Sequence, residues 1–139
     1  MARWGLTYLL TFAVFLALDF CWLTFTSARL YAPLLGDLMA PQFRAVPAVL
    51  FYLIYIAGLT WFAVRAGIAG GPRAGALNGA MFGLACYGTY DLTNQATLVH
   101  WSSQITVLDL IWGSSASALA AALASELAAR WLMPELRKS

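Results

Sequence analysis

Asp19, Asp91 and Asp109 each stand inside a long apolar run, among aromatic and small side chains rather than other charges. An ionised carboxylate at mid-membrane costs at least ~2.5–3.5 kcal/mol on the insertion scale, so three of them on separate runs of so short a chain need a role. Carboxyl groups in apolar helices relay protons, hold cations, act as paired acid and base, or hydrogen-bond helices together. Tyr87, Tyr90, Asp91 and Asn94 recur at three- and four-residue spacing, which sets hydroxyl, carboxyl and amide groups along one helix face. Polar side chains avoid lipid, so that face is expected to look inward.

A local echo links two of the carboxylates. Leu18-Asp19-x-x-Trp22-x-Thr24-x-x-Ser27 matches Leu108-Asp109-x-x-Trp112-x-Ser114-x-x-Ser117. On helices of opposite direction, the two Asp-Trp pairs would stand antiparallel around a pocket. The echo is too short to establish an inverted repeat. Trp22 and Trp112 would then line a ligand or hold a cation on their ring faces. As core fillers they need no ligand.

The elements that must position these residues follow from composition. The chain has 139 residues, 62% hydrophobic and 10% charged, against roughly a quarter charged in a soluble domain. A spanning helix takes about 20 apolar residues. Four runs meet that length: 4–26, 45–64, 74–97 and 104–125. The expected fold is therefore an all-α integral membrane protein, a single-domain bundle of four transmembrane helices over 1–139, with no room for a soluble domain. The first run is too long for a signal-peptide core of ~7–15 residues and contains Asp19 and Trp22, so it reads as a retained anchor.

Charge sets the expected orientation. Arg3, Arg65, Arg73, Arg130, Arg137 and Lys138 fall on one side, Arg29 and Arg44 on the other. Positive loops resist translocation, which places both termini in the cytoplasm. The net charge of +2 thus reports topology, and no nucleic-acid partner is expected. Glu126 and Arg130, one turn apart, are spaced for an ion pair.

Depth can be compared by taking each run's midpoint as the membrane centre and ~1.5 Å per residue. Asp19 then lies ~6 Å outward, Asp91 and Asp109 ~8 Å, and Tyr52 ~4 Å. All four fall in one slab of the outer half, where the Tyr52 phenol can donate to a carboxylate. The segment Arg29 to Pro41 is too apolar for a water-exposed loop and reads as a short interfacial helix, a cap over that slab or a plain tether.

Gly75, Gly79 and Gly83 recur every four residues, as do Gly113, Ser117, Ala121 and Ser125. Such stripes let helix backbones approach, either within the bundle or in a homodimer through Gly75, Gly79, Gly83 or Gly113, Ser117, Ala121. Cys21 and Cys86 lie within spans and behave as small apolar side chains. His100 has no Cys or His neighbours, so no metal site is expected. Gly70-Gly71-Pro72 lacks the lysine of a phosphate loop, and no cofactor is called for.

Ala17-Leu-Asp-Phe-Cys-Trp-Leu23, Phe51-Tyr-Leu-Ile-Tyr55, Tyr90-Asp-Leu-Thr-Asn-Gln-Ala-Thr-Leu98 followed by Trp101, and Leu108-Asp-Leu-Ile-Trp-Gly113 together resemble the bacterial membrane-protein family called domain of unknown function 2177. The resemblance covers nearly the whole chain, and Tyr-Asp-Leu-Thr-Asn is its most specific part. It implies a small multi-pass protein of the bacterial inner membrane and carries no reaction with it. Genes for fatty-acid modification sometimes adjoin those of its members, which implies a lipid-linked role.

Three functions are compatible with the residues. The first is binding or transport of a small molecule, a cation or proton, or a lipid, in a pocket of Asp19, Trp22, Tyr52, Tyr87, Tyr90, Asp91, Asn94, Asp109 and Trp112. The second is a membrane-embedded lipid-modifying enzyme using aspartate acid and base; Asp109 follows Thr106-Val107-Leu108 and so lacks the Gly-x-Gly-Asp of intramembrane aspartyl proteases. The third is a non-catalytic assembly subunit.

Overall fold

The computed structural model describes residues 2–133. Among these the chain is helical throughout, with no strand: α1 (Ala2–Thr26), a π-helical turn (Ser27–Tyr31), α2 (Ala32–Leu35), a 3-10 turn (Gly36–Leu38), α3 (Ala45–Leu59), a second π-helical turn (Thr60–Val64), α4 (Arg65–Gly70), α5 (Pro72–Thr97) and α6 (Ser103–Trp131). Arg137 and Lys138 lie outside the described residues.

Among the described residues three continuous helices are long and apolar enough to cross a membrane: Ala2–Leu35, Ala45–Gly70 and Ser103–Trp131. Their outer surfaces suit lipid and not water. Phe20, Ile54, Trp61 and Ile111 are all exposed, and a soluble monomer does not carry apolar surface on that scale. α5 is as long, at 26 residues, but its glycines, threonines and amides dilute its apolarity.

Two boundaries differ from the sequence reading. The first helix runs past Thr26, through the π-turn, to Leu35. The 65–73 connection shrinks to a break at Gly71, where φ is 86°. That left-handed conformation suits glycine, and Pro72 then opens α5 with a φ already helical.

α6 is the central helix. One side of it receives α5, in antiparallel register: Gly75 meets Ala121 and Ser125, Gly79 meets the Ser117 carbonyl, and Gly83 meets the Gly113 carbonyl. A Cβ on Gly79 would stand 2.4 Å from the Ser117 oxygen, and one on Gly83 2.1 Å from the Gly113 oxygen. Only hydrogen in place of a side chain permits the contact, and that closeness supplies van der Waals attraction where lipid supplies no hydrophobic drive. Both small-residue stripes are thereby occupied within one chain. Gly75, Gly79, Gly83, Gly113, Ser117 and Ala121 are all buried.

The remaining side of α6, through Ala116, Ala120, Ala124 and Ala128, is buried in a core with Phe15, Tyr55, Ile56, Leu59, Ala63 and Val64. α1 contributes the stripe Thr7, Thr11, Phe15 and Asp19, every fourth residue buried. Its threonines enter an apolar core without penalty because Thr7 donates to the Arg3 carbonyl and Thr11 to the Thr7 carbonyl, each at 2.8 Å.

Candidate functional site

Asp19 closes the buried stripe of α1. Its Oδ2 accepts a hydrogen bond from the Tyr52 hydroxyl of α3 at 2.5 Å, and its Oδ1 accepts the Trp112 indole N–H of α6 at 3.3 Å. One carboxylate thus ties three helices together. Asp109, on α6, accepts from the hydroxyl of Tyr31, which in turn accepts the Trp22 indole N–H at 3.0 Å.

Tyr31 reaches Asp109 because of the π-turn. One extra residue in a turn rotates everything after it by about 100°. Tyr31 is the last residue of that turn, so the rotation carries it to the bundle side, over a carboxylate 78 positions away in sequence. Sequence reasoning missed this residue. The available signal was the apolar character of Arg29 to Pro41, which marked a segment held against the protein.

Between the two carboxylates, the indoles of Trp22 and Trp112 are stacked, 4.5 Å between ring centres and 6° between planes. The arrangement is a cross: Trp112 serves the aspartate of the opposite helix directly, and Trp22 does so through Tyr31.

Asp91 is placed differently. One turn beyond the Gly83–Gly113 contact, towards the end of α5, Tyr87 comes level with Asp109, and Asp91 lies one further turn along α5, about 6 Å away along the axis. It is 0% exposed, and neither carboxylate oxygen has a hydrogen-bond partner. Asp19 and Asp109 are thus hydrogen-bonded, and Asp91 is not. Among the described residues no group of three His, Cys, Asp or Glu side chains is placed to hold a metal ion.

The Tyr87, Tyr90, Asp91 and Asn94 face does not turn inward as a unit. Asp91 is buried, Tyr87 and Asn94 are half-buried, and Tyr90 is exposed, its ring edge-on to Trp101 with 5.6 Å between centres. Tyr90 and Asn94 take no part in the hydrogen bonds that Asp19 and Asp109 receive from Tyr52, Trp112 and Tyr31. Tyr87 joins through packing, its ring filling the space beside Gly113, where a Cβ would come within 2.3 Å of it.

A groove opens beside these carboxylates, between the N-terminal half of α3 and the C-terminal half of α5. Phe51, Tyr55, Cys86, Tyr87, Thr89, Tyr90, Thr93 and Asp109 line a cavity of about 560 Å³. A second cavity of about 550 Å³ continues it along the same crevice to Gly58, Phe62 and Phe82, sharing Phe51, Tyr55, Cys86 and Thr89. Tyr55 forms the back wall, in ring contact with Phe15, Phe51, Phe82 and Tyr87. Its hydroxyl bonds Ser117 Oγ at 2.6 Å, and Ser117 donates onward to the Gly113 carbonyl. The threonines on the α5 wall donate to their own helix, Thr89 to Ala85 and Thr93 to Thr89, so they present methyl groups and little unsatisfied polarity. Asp109 is the one carboxylate among the residues that line either cavity.

A model of the predicted membrane protein family DUF2177 matches residues 4–125, and the chain belongs to that family. No curated protein and no solved structure shows detectable similarity to it.

Proposed function

We propose that this membrane protein binds a long-chain amphiphile in the α3–α5 groove, with the polar head at Asp109 and the chain along Phe51, Tyr55 and Phe82. The observation that carries this reading is the single carboxylate at one end of an otherwise aromatic and apolar groove. From Thr93 down to Phe82 the groove follows about 16 Å of α5, half the thickness of the hydrocarbon core. That reach suits a single extended chain anchored in one leaflet.

The head group follows from the acceptor. A carboxylate accepts hydrogen bonds and repels anions, so the matching head carries hydroxyl or amine donors and no net negative charge. Tyr31, already on Asp109, would stay as its second donor or yield to the ligand. Asp91, buried behind Asp109 without a partner, gives the cluster a second acid that could accept or release a proton as the head enters. Four membrane-spanning helices, both termini in the cytoplasm and the bacterial inner membrane are the setting in which this reading is made. Arg3, Arg65, Arg73 and Arg130 gather at one end of the bundle, at the start of α1, the start of α4, the start of α5 and the end of α6, which supports that orientation.

The test is photolabelling in bilayer vesicles with a long-chain alcohol carrying a diazirine on its chain. Labels are expected on Phe51, Cys86, Thr89 and Phe82, saturable by unlabelled alcohol and lost in Thr89→Trp, which fills the groove from a lipid-facing position. Asp109→Asn is expected to weaken labelling by about ten-fold, the ~1.5 kcal/mol of one charged hydrogen bond. Unsaturable labelling spread over the lipid-facing residues of all helices would refute the proposal.

A further inference from the structure

We propose a second site, at the opposite end of the bundle from the groove head, that binds the phosphodiester headgroup of an anionic phospholipid. Its centre is Arg65. The guanidinium carbon lies 3.9 Å over the Trp61 ring and 5.6 Å from that of Trp4. Among the described residues Arg65 makes no ion pair. A guanidinium held over an indole face by its charge still has N–H donors to offer, the fork that grips two phosphate oxygens at once.

The surroundings form a cavity rather than a bare surface. Trp4, Tyr8, Ala57, Thr60, Trp61 and Arg65 line about 320 Å³, within the range of small-molecule sites. At its inner end sits Thr60, 8% exposed, whose Oγ1 is buried without any hydrogen-bond partner. That is an exception in this chain. Thr7, Thr11, Thr24, Thr26, Thr89, Thr93 and Thr97 all donate to a carbonyl four residues before them. Thr60 opens the π-helical turn Thr60–Val64, and such turns concentrate at functional sites.

The spacing matches a phospholipid. Thr60 lies five residues, about 7.5 Å, deeper than Arg65 along the helix, and the headgroup zone of one leaflet is about 5–8 Å thick. A phosphate held by Arg65 therefore brings its glycerol ester carbonyls to the level of the Thr60 hydroxyl, which needs an acceptor. Trp4 and Trp61, both exposed, suit the same interface, and basic pockets between helices on the cytoplasmic side take acidic lipid heads. The Tyr8 hydroxyl is already committed to the Leu53 carbonyl at 3.1 Å and shapes the wall.

The experiment uses the full chain in nanodiscs of equal parts phosphatidylglycerol and phosphatidylcholine, released into the gas phase for native mass spectrometry. Wild type is expected to retain phosphatidylglycerol over phosphatidylcholine by about five-fold. Arg65→Gln is expected to abolish the preference, Arg65→Lys to reduce it and Thr60→Val to weaken retention, while Arg73→Gln, at the same end of the bundle, leaves it unchanged. Equal retention of the two lipids by wild type would overturn the proposal, as would equal loss in Arg73→Gln, which would mean diffuse surface charge. Displacement of the lipid by inorganic phosphate at matched concentration would overturn the lipid as occupant.

Discussion

Trp112 donates its indole N–H to Asp19 across 3.3 Å, joining the last helix to the first at the level where Tyr52 of α3 donates to the other carboxylate oxygen. Two donors on one buried carboxylate make its removal costly in a way that the removal of either donor is not. The two other aspartates differ from Asp19 in this respect, and the difference yields measurable consequences.

Asp19→Leu leaves the Tyr52 hydroxyl and Trp112 N–H without acceptors, each at about 1–3 kcal/mol. Asp91→Leu removes a carboxylate that has no partner to lose, and an apolar side chain of similar size there is expected to be neutral or stabilising. Thermal unfolding of the two purified variants in the same detergent compares them. A loss in Asp91→Leu as large as that in Asp19→Leu would show that Asp91 has a bound partner.

Trp112→Phe and Tyr52→Phe each remove one hydrogen bond while keeping most of the ring packing. Interhelical bonds in membranes average about 0.6 kcal/mol, so each single variant is expected to lose little. Because the two donors share one acceptor, the double variant is expected to lose more than their sum, a coupling that a double-mutant cycle of unfolding free energies reads directly.

Gly83→Ala forces a methyl against the Gly113 backbone, whereas Gly5→Ala meets nothing within 4 Å. Backbone cannot move aside as a flexible side chain can. Gly83→Ala is expected to destabilise by about 1–3 kcal/mol, and Gly5→Ala to be neutral or slightly stabilising. Equal melting temperatures for the two would contradict the close α5–α6 contact.

Tyr31→Phe breaks both links of the Trp22–Tyr31–Asp109 chain. It leaves Asp109 without its donor, at about 1–3 kcal/mol in stability, and changes the environment of the stacked indoles. A shift in tryptophan emission together with a lowered melting temperature is the expected result. Unchanged emission would mean that Tyr31 does not hold the pair.

Much of this was legible in the sequence. Apolar runs broken only by Asp19, Asp91 and Asp109 announce membrane helices, because no other environment accepts so few charges. The four-residue recurrence of Gly75, Gly79 and Gly83 announces a close helix contact, because that period is one turn. The Asp19-Trp22 and Asp109-Trp112 echo marked residues that meet in space. Periodicity along one helix, however, says nothing about which neighbour it faces, and so could not show that the Gly75, Gly79 and Gly83 stripe meets α6. Nor could it separate Tyr90, exposed against Trp101, from Asp91 beside it, since a step of about 100° is within the uncertainty of any face drawn from spacing. Tyr31 was beyond reach for a further reason: its approach to Asp109 depends on a π-turn that rotates the helix by one residue, a choice made by packing rather than by local preference. The sequence by itself determined that this is a helical membrane protein with carboxylates at membrane depth. Only the tertiary structure decided which carboxylates are paired, because pairing depends on distances between helices that no residue spacing encodes.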